Sequence, residues 1–283
     1  MLKLTQVNRP FICAVITDAN VDACIRTMKL AEFDGADAFE LDLHVLQPYP
    51  PSKQDVKDIV GCTSKPTFTV NRRVGGRPQS EDERIKVQLD AFDAGTVGFD
   101  TELDTFDPCT QWDAAKTKHQ MEHLQGISLD PDVMPLEVSY DPEAERKQMR
   151  LIDDLHARGG EVMLSTHILV RMKPEGALRV GRLMEKRGAD LAKIVGRTRD
   201  MGDLLDVLAC NLALKKELKI PFNMMSHGQP SALGRVLYPM FGSSWVYCQQ
   251  TFVPGGFHYQ PLVKTMRYIL QHVDFHIEVS YKR

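Results

Sequence analysis

PEAERKQMRLIDDLHARGGEVMLSTHI, residues 142–168, holds two periods in one run. As far as Gly160 its apolar side chains return at helical spacing. From Gly160 onward the run is short, apolar and β-rich, and it ends on a histidine. The same alternation extends along the chain in both directions. Strand-like runs are FICAVIT (11–17), ADAFELDLHVL (36–46), PTFTVNR (66–72), VGFDTELD (97–104), DLAKIVGRT (190–198), PFNMMSH (221–227) and SWVYCQQ (244–250). Helical patterns such as VDACIRTMKLAEFDG (21–35), SEDERIKVQLDAFDAG (80–95) and MGDLLDVLACNLALKKE (201–217) stand between them. Ser80 followed by Glu83 has the spacing of a capping box, and Gly95 suits a helix stop. Strand, helix, strand, repeated about eight times, predicts parallel pairing with crossover helices. That number of units favours an α/β fold of the closed (β/α)8 TIM-barrel type over an open doubly wound sheet.

The bulk numbers agree. A chain of 283 residues suits such a barrel, and 43% hydrophobic with 26% charged residues predicts a packed domain rather than disorder. One domain over residues 1–283 is expected, with a possible insertion at 107–141, which is too long for a simple connection. A formal net charge of −3, with Lys and Arg spread along the chain, gives no nucleic-acid face. No apolar run reaches the roughly 18 residues needed to span a bilayer. The opening MLKLTQVNRPFICAVIT reads as no signal peptide. The six cysteines form no CxxC pair and read as reduced thiols, so a cytoplasmic location is expected. The absence of GxGxxG after the first strand and of GxxxxGK[ST] anywhere removes the usual dinucleotide and P-loop readings.

In a barrel, alternate strand residues point inward and chemistry collects at the C-terminal strand ends. On that alternation FELDLH places Glu40, Asp42 and His44 on one face. FDTELD places Asp100, Glu102 and Asp104 on one parity. MLSTHI carries His167 near its strand end, and LAKIVGRT (191–198) carries Lys193 in the middle of an apolar run. A lysine there must be paired or must lose its proton, and a neutral lysine is a nucleophile toward carbonyls. Converging titratable groups at one barrel end are the signature of a site. HQMEH (119–123) spaces two histidines four apart but reads as a surface helix. NRRVGGRP (71–78) reads equally as a phosphate cradle or as a flexible loop at the barrel mouth.

At STH (165–167), KIV (193–195) and GRVLYPMFGSSW (234–245) the chain resembles type I 3-dehydroquinate dehydratase. The resemblance extends through FELDL, PTFTVNRRVGG, the acidic fourth strand and VPGG (253–256). It implies a (β/α)8 barrel, a homodimer, and a lysine that forms a Schiff base with a small-molecule ketone, without metal or organic cofactor. Carried over residue by residue, Lys193 is that lysine and His167 the general acid/base. Glu40, Asp42, Asn71, Arg72, Glu102 and Arg235 are the candidates for holding substrate, with Arg235 matching the arginine that binds its carboxylate. The chain departs from the family pattern at four points. Asp42 stands where E-x-R expects arginine. Asn71 stands where an arginine follows FT-x, leaving Arg72 or Arg73 as substitutes. Val74 stands where a glutamate before GG assists the histidine. Phe252 and Gly256 replace the polar pair of S-x-P-G-Q. The resemblance thus implies a carbon–oxygen lyase of the shikimate pathway, turning 3-dehydroquinate or a related hydroxy-ketone into its dehydrated product. Two other readings fit the same residues: a metal-dependent isomerase or aldolase using Glu40, Asp42, His44, Glu102 and His167, and a barrel that binds a ligand without turnover.

Overall fold

A computed structural model describes residues 2–73, 79–108, 127–128, 137–168, 170–252 and 259–273. The histidines of HQMEH, Cys109, Val74, Gly256 and most of the 107–141 stretch lie outside these residues. Eight parallel strands form one sheet: β1 (Phe11–Ile16), β2 (Ala38–Asp42), β3 (Thr67–Val70), β4 (Gly98–Glu102), β5 (Glu161–His167), β6 (Leu191–Arg197), β7 (Phe222–His227) and β8 (Trp245–Cys248). Each coincides with one of the strand-like runs. Pairing runs from β8 through β1 in chain order to β7. The ring closes where Ser244 N donates to Phe222 O at 2.7 Å and the Asn223 amide donates to Trp245 O at 2.5 Å.

Eight helices are described: α1 (Val21–Phe33), α2 (Lys53–Val60), α3 (Glu81–Asp93), α4 (Pro142–Ala157), α5 (Pro174–Lys186), α6 (Met201–Glu217), α7 (Ser231–Phe241) and α8 (Val263–His272). Their starts follow from local chemistry. Ser80 accepts from Glu83 N while Glu83 reaches back to Ser80 N, completing the expected box. Asp141 caps α4, with Pro142 in its first turn, where a missing N–H costs nothing. The fold is therefore the (β/α)8 barrel that the alternation predicts.

Two strands end sooner than their sequence runs suggest. β2 stops at Asp42, and Leu43–Val45 form a 3-10 turn, so His44 leaves the strand alternation that groups it with Glu40. β4 stops at Glu102, and Asp104 sits in the turn after it, paired at 2.8 Å with Arg73. Short strand ends of this kind turn the chain outward at the barrel mouth.

The other end is plugged. Leu4 is buried, and Glu161 at the start of β5 accepts from Leu4 N (2.7 Å) and Thr5 N (3.2 Å). Within the wall, Gly98 of β4 faces Glu161 in register, and a Cβ there would lie 1.8 Å from the Glu161 carbonyl oxygen. The absence of a side chain is what lets β4 and β5 pair. Gly98→Ala is expected to lower unfolding free energy by about 3 kcal/mol, the upper range for overpacking. Urea unfolding would read this, with Ala38→Gly on β2 as a comparison in which a methyl is lost rather than gained.

Candidate active site

Lys193 stands on β6 opposite Ser165 of β5 and Asn223 of β7 and is 2% exposed. Its ammonium donates to Asp100 Oδ2 at 2.8 Å and to Glu40 Oε2 at 3.3 Å, and lies 4.9 Å from the centre of the Tyr247 ring. Burial pushes a lysine toward the neutral form. Here Asp100 and Glu40 outweigh burial, and Lys193 titrates above its ordinary value. Of the two outcomes open to a lysine in an apolar run, pairing is the one found: one carboxylate from β4 and one from β2 hold it charged.

Burial opposes the charge of Glu40 as well. Lys193, Arg72 and the Tyr247 hydroxyl outweigh that cost, so its carboxyl titrates below the ordinary range. Arg72 follows β3 and approaches Glu40 Oε1 at 3.8 Å. Its other terminal nitrogen lies 3.3 Å from His167 Nε2. A guanidinium only donates, so Nε2 accepts. On the far side of the ring, Nδ1 lies 2.7 Å from Glu137 Oε2, which also accepts from His167 N at 2.9 Å. His167 thus lies between an arginine and a carboxylate at the mouth of the barrel.

These groups open onto one cavity of about 270 Å³. Glu40, Arg72, Arg73, Glu102, Glu137, His167, Lys193, His227, Arg235, Tyr247 and Gln260 supply its polar wall, and Val195 and Met225 its apolar patch. Arg235, on α7, is 4% exposed and donates to Ser226 O at 3.3 Å. Among the described residues no carboxylate pairs with it, and its Nε lacks a partner. Burial lowers its affinity for its proton, as expected of a cation waiting for an anion. Glu102 lines the cavity but is met at 2.7 Å by Arg84 of α3, a fully buried arginine.

Two candidates do not face the cavity. Asn71 is fully buried behind β3, where its amide donates to Tyr49 Oη (3.0 Å) and Arg84 O (3.1 Å). Thr69, two residues earlier, points the same way, to Gln88 of α3. Alternation therefore sends Asn71 to the helix layer and Arg72 inward. Asp42 is buried and is not among the cavity's lining residues; its Oδ1 has no partner. His227, Tyr247 and Glu137 were not singled out from sequence, and Asp100 was grouped with Glu102 and Asp104 without being matched to a role. His227 carried a signal, because it ends PFNMMSH as His167 ends its own strand run. Burial, then Arg235, His167, Arg72 and Lys193, push its imidazole down to about 3, so it is neutral near pH 7. Asp100 shares strand parity with Glu102. Glu137 lies 30 residues from its partner in a stretch without periodicity, and nothing in the sequence points to it.

The sequence model of the family described as type I 3-dehydroquinase matches residues 109–274, more than half of the chain. The chain belongs to the type I 3-dehydroquinases. Among curated relatives, a 3-dehydroquinate dehydratase of Klebsiella pneumoniae is 32% identical over 128 residues, 44% of this chain and 50% of that protein. One from Aromatoleum aromaticum is 28% identical over 144 residues, 50% of this chain and 52% of that protein. The chain spans about half the length of the curated relatives it matches. Among solved structures, the 3-dehydroquinate dehydratase of Geobacillus kaustophilus superposes with a TM-score of 0.73 at 16% identity, covering 95% of this chain and 94% of that one. The type I enzyme of Clostridium difficile gives 0.70 at 18% identity, over 95% and 96%. At these identities the structural likeness shows the shared barrel.

In this type I 3-dehydroquinase the acids of β2 and β4 are met by Lys193, Arg72 and Arg84. The metal-dependent reading needs three convergent ligands, and among the described residues no group of three His, Cys, Asp or Glu side chains is arranged to hold an ion. Among those residues no helix is long and apolar enough to cross a membrane.

Burial pushes Asp42 up to about 7, with Glu40 and Asp100 adding to it against Arg72 and Lys193. Between its ordinary value of 3.8 and about 7 the folded state holds a proton that the unfolded chain has released. Asp42 therefore subtracts stability as pH rises through that window. Asp42→Asn should remove that loss and leave the variant more stable than the parent at pH 8. The urea midpoint of both proteins, measured from pH 4 to pH 8, reads the difference.

Proposed function

We propose that the chain is a Schiff-base-forming dehydratase acting on 3-dehydroquinate or a closely related cyclic hydroxy-ketone acid. The observation that carries this reading is one cavity on which a fully buried lysine, a histidine with an accepting Nε2 and a buried arginine without a carboxylate partner among the described residues all open. Membership in the type I 3-dehydroquinases and the names of the relatives supply the substrate class.

The chemistry follows from the residues. Arg235 takes the substrate carboxylate through charge-assisted hydrogen bonds. Lys193 must first lose its proton, and Asp100 at 2.8 Å and Glu40 at 3.3 Å are the acceptors within reach. The free amine adds to the ketone, and loss of water gives an iminium. That cation acidifies the neighbouring C–H. Nε2 of His167 removes the proton, leaving an enamine. The enamine expels the β-hydroxyl, to which His167 returns the proton, and hydrolysis of the product iminium frees Lys193. Tyr247 and the neutral His227 offer hydrogen bonds to the ring hydroxyls. The same reading places the protein in the shikimate pathway, as a cytoplasmic homodimer needing no cofactor.

Borohydride reduction during incubation with 3-dehydroquinate tests the proposal. An adduct on the peptide holding Lys193 is expected, and its absence, together with absence of turnover, would overturn the substrate assignment. Lys193→Ala should abolish both adduct and turnover. His167→Ala should still yield the adduct while turnover falls by about 10²- to 10⁴-fold, the usual share of general acid–base catalysis. Arg235→Ala should raise KM by about 10- to 100-fold, the value of a hydrogen bond to a charged group. Steady-state kinetics beside the trapped masses would separate these roles.

A further inference from the structure

Residues 137–141, just ahead of α4, lie at the barrel mouth. Val138 is fully buried and bridges to Leu103 in parallel, extending the wall just beyond β4. Ser139 N donates to Leu103 O at 3.4 Å. Arg187, at the end of α5 and 1% exposed, donates to Leu103 O at 2.7 Å, to Gln148 Oε1 at 2.8 Å and to Ser139 O. Gln148 of α4 donates in turn to Glu102 O at 2.9 Å. A buried guanidinium and a buried amide therefore clamp the chain next to Glu137. Such anchoring is what a positioning group needs, because rotamer and backbone are fixed from behind.

Glu137 uses one oxygen, Oε2, for both the backbone N–H and the ring Nδ1 of His167. A carboxylate can only accept, so Nδ1 carries the hydrogen. Arg72 can only donate, so Nε2 carries the lone pair, and Nε2 is the nitrogen on the Arg72 side of the ring. Two neighbours of fixed polarity, one on each side, leave a single tautomer. The position where the family pattern has a glutamate assisting this histidine holds Val74 here.

We infer that Glu137 is the positioning residue of His167, delivered by the 107–141 stretch in place of the glutamate that the chain lacks at Val74. It fixes the Nδ1–H tautomer, so that Nε2 is free to take the substrate proton, and its negative charge stabilises the imidazolium that forms when it does. The Glu137 carboxyl is held down at about 2 despite burial, by His167 and then Arg73, so it is ionised throughout the neutral range. The inference rests on the proposed role of His167 as proton carrier, but its first test needs no substrate.

The test is long-range proton–nitrogen NMR on the ligand-free, 15N-labelled protein, with the His167 signals assigned through His167→Gln. In the parent, Nδ1 is expected to be protonated and Nε2 bare. Glu137→Ala is read in an Arg72→Ala background, so that no second neighbour holds the ring: Arg72→Ala alone should keep Nδ1–H, and adding Glu137→Ala should move the ring to the Nε2–H form or to a mixture. Glu137→Gln should keep the parent tautomer, because the amide oxygen still accepts from Nδ1–H, but without the charge. For turnover of 3-dehydroquinate, kcat should fall by about 10²- to 10⁴-fold in Glu137→Ala and by less in Glu137→Gln. KM should stay within about threefold, and borohydride should still trap Lys193. A bare Nδ1 in the parent, or an unchanged tautomer when Glu137→Ala is added to Arg72→Ala, would overturn the inference whether or not the dehydratase reading holds. If Glu137→Ala fails to fold, the parent spectrum and Glu137→Gln decide it. A correct tautomer shift in a protein that traps no adduct would leave Glu137 in its positioning role and count against the dehydratase reading instead.

Discussion

A cation buried at the centre of an apolar barrel is the constraint on which the site depends. The Nζ of Lys193 is almost wholly removed from solvent, and an isolated ammonium there would cost many kcal/mol. Asp100 and Glu40 offset that cost at 2.8 and 3.3 Å. They also create a second requirement, since two carboxylates facing one lysine leave an excess negative charge. Arg72 answers it from above, at 3.8 Å from Glu40. One lysine thus dictates acids on β2 and β4 and an arginine after β3. Removing any one member leaves a charge uncompensated in the interior. That is why the cluster reads as a unit rather than as separate surface ion pairs.

The same arrangement ties charge balance to reactivity. With its carboxylates in place Lys193 is an ammonium, and an ammonium does not attack a carbonyl. In the proposed reaction an entering substrate changes the balance, its carboxylate meeting Arg235 and its ring displacing whatever solvent reaches Glu40 and Arg72. Proton loss from Lys193 to a neighbouring acid then replaces a charged pair by a neutral one, a smaller cost in a closed, poorly solvated cavity than in water. On this view the buried pair stores the nucleophile in a stable protonated form and releases it when the cavity fills.

The sequence carried the architecture because the architecture rests on local rules. All eight wall strands coincide with β-rich runs, and the Ser80 and Glu83 box closes as the spacing predicts. Lys193 and His167 were legible for the same reason: a lysine inside LAKIV and a histidine ending MLSTH have few places to go in a parallel strand. Where strand alternation was carried past the strand it failed. His44 is turned away because β2 gives way to a 3-10 turn at Leu43. Asn71 was chosen by position in a motif, yet it follows Thr69 toward α3, and the period of two sends Arg72 inward instead. Glu137 was illegible for a different reason. Its partner is set by a long-range return of the chain, clamped by Arg187, and no local period encodes such a return.

The departures from the family pattern are easier to understand as relocation than as loss. The arginine missing at position 71 has a guanidinium at Arg72, one residue on and across the alternation, which reaches both Glu40 and His167. The glutamate missing at position 74 has a carboxylate at Glu137, from another segment altogether, at 2.7 Å from the same ring. Asp42, where an arginine would stand, has no such replacement: it adds a buried acid beside Glu40 and Asp100, and its response is to hold its proton up to about pH 7. A neutral carboxyl does not bind an anion. Arg72 is already shared between Glu40 and His167, and Arg73 between Glu81 and Asp104. Arg235 is the remaining buried guanidinium on the cavity without a carboxylate partner among the described residues. In the proposed reaction it is the guanidinium left to meet a ligand's anionic group.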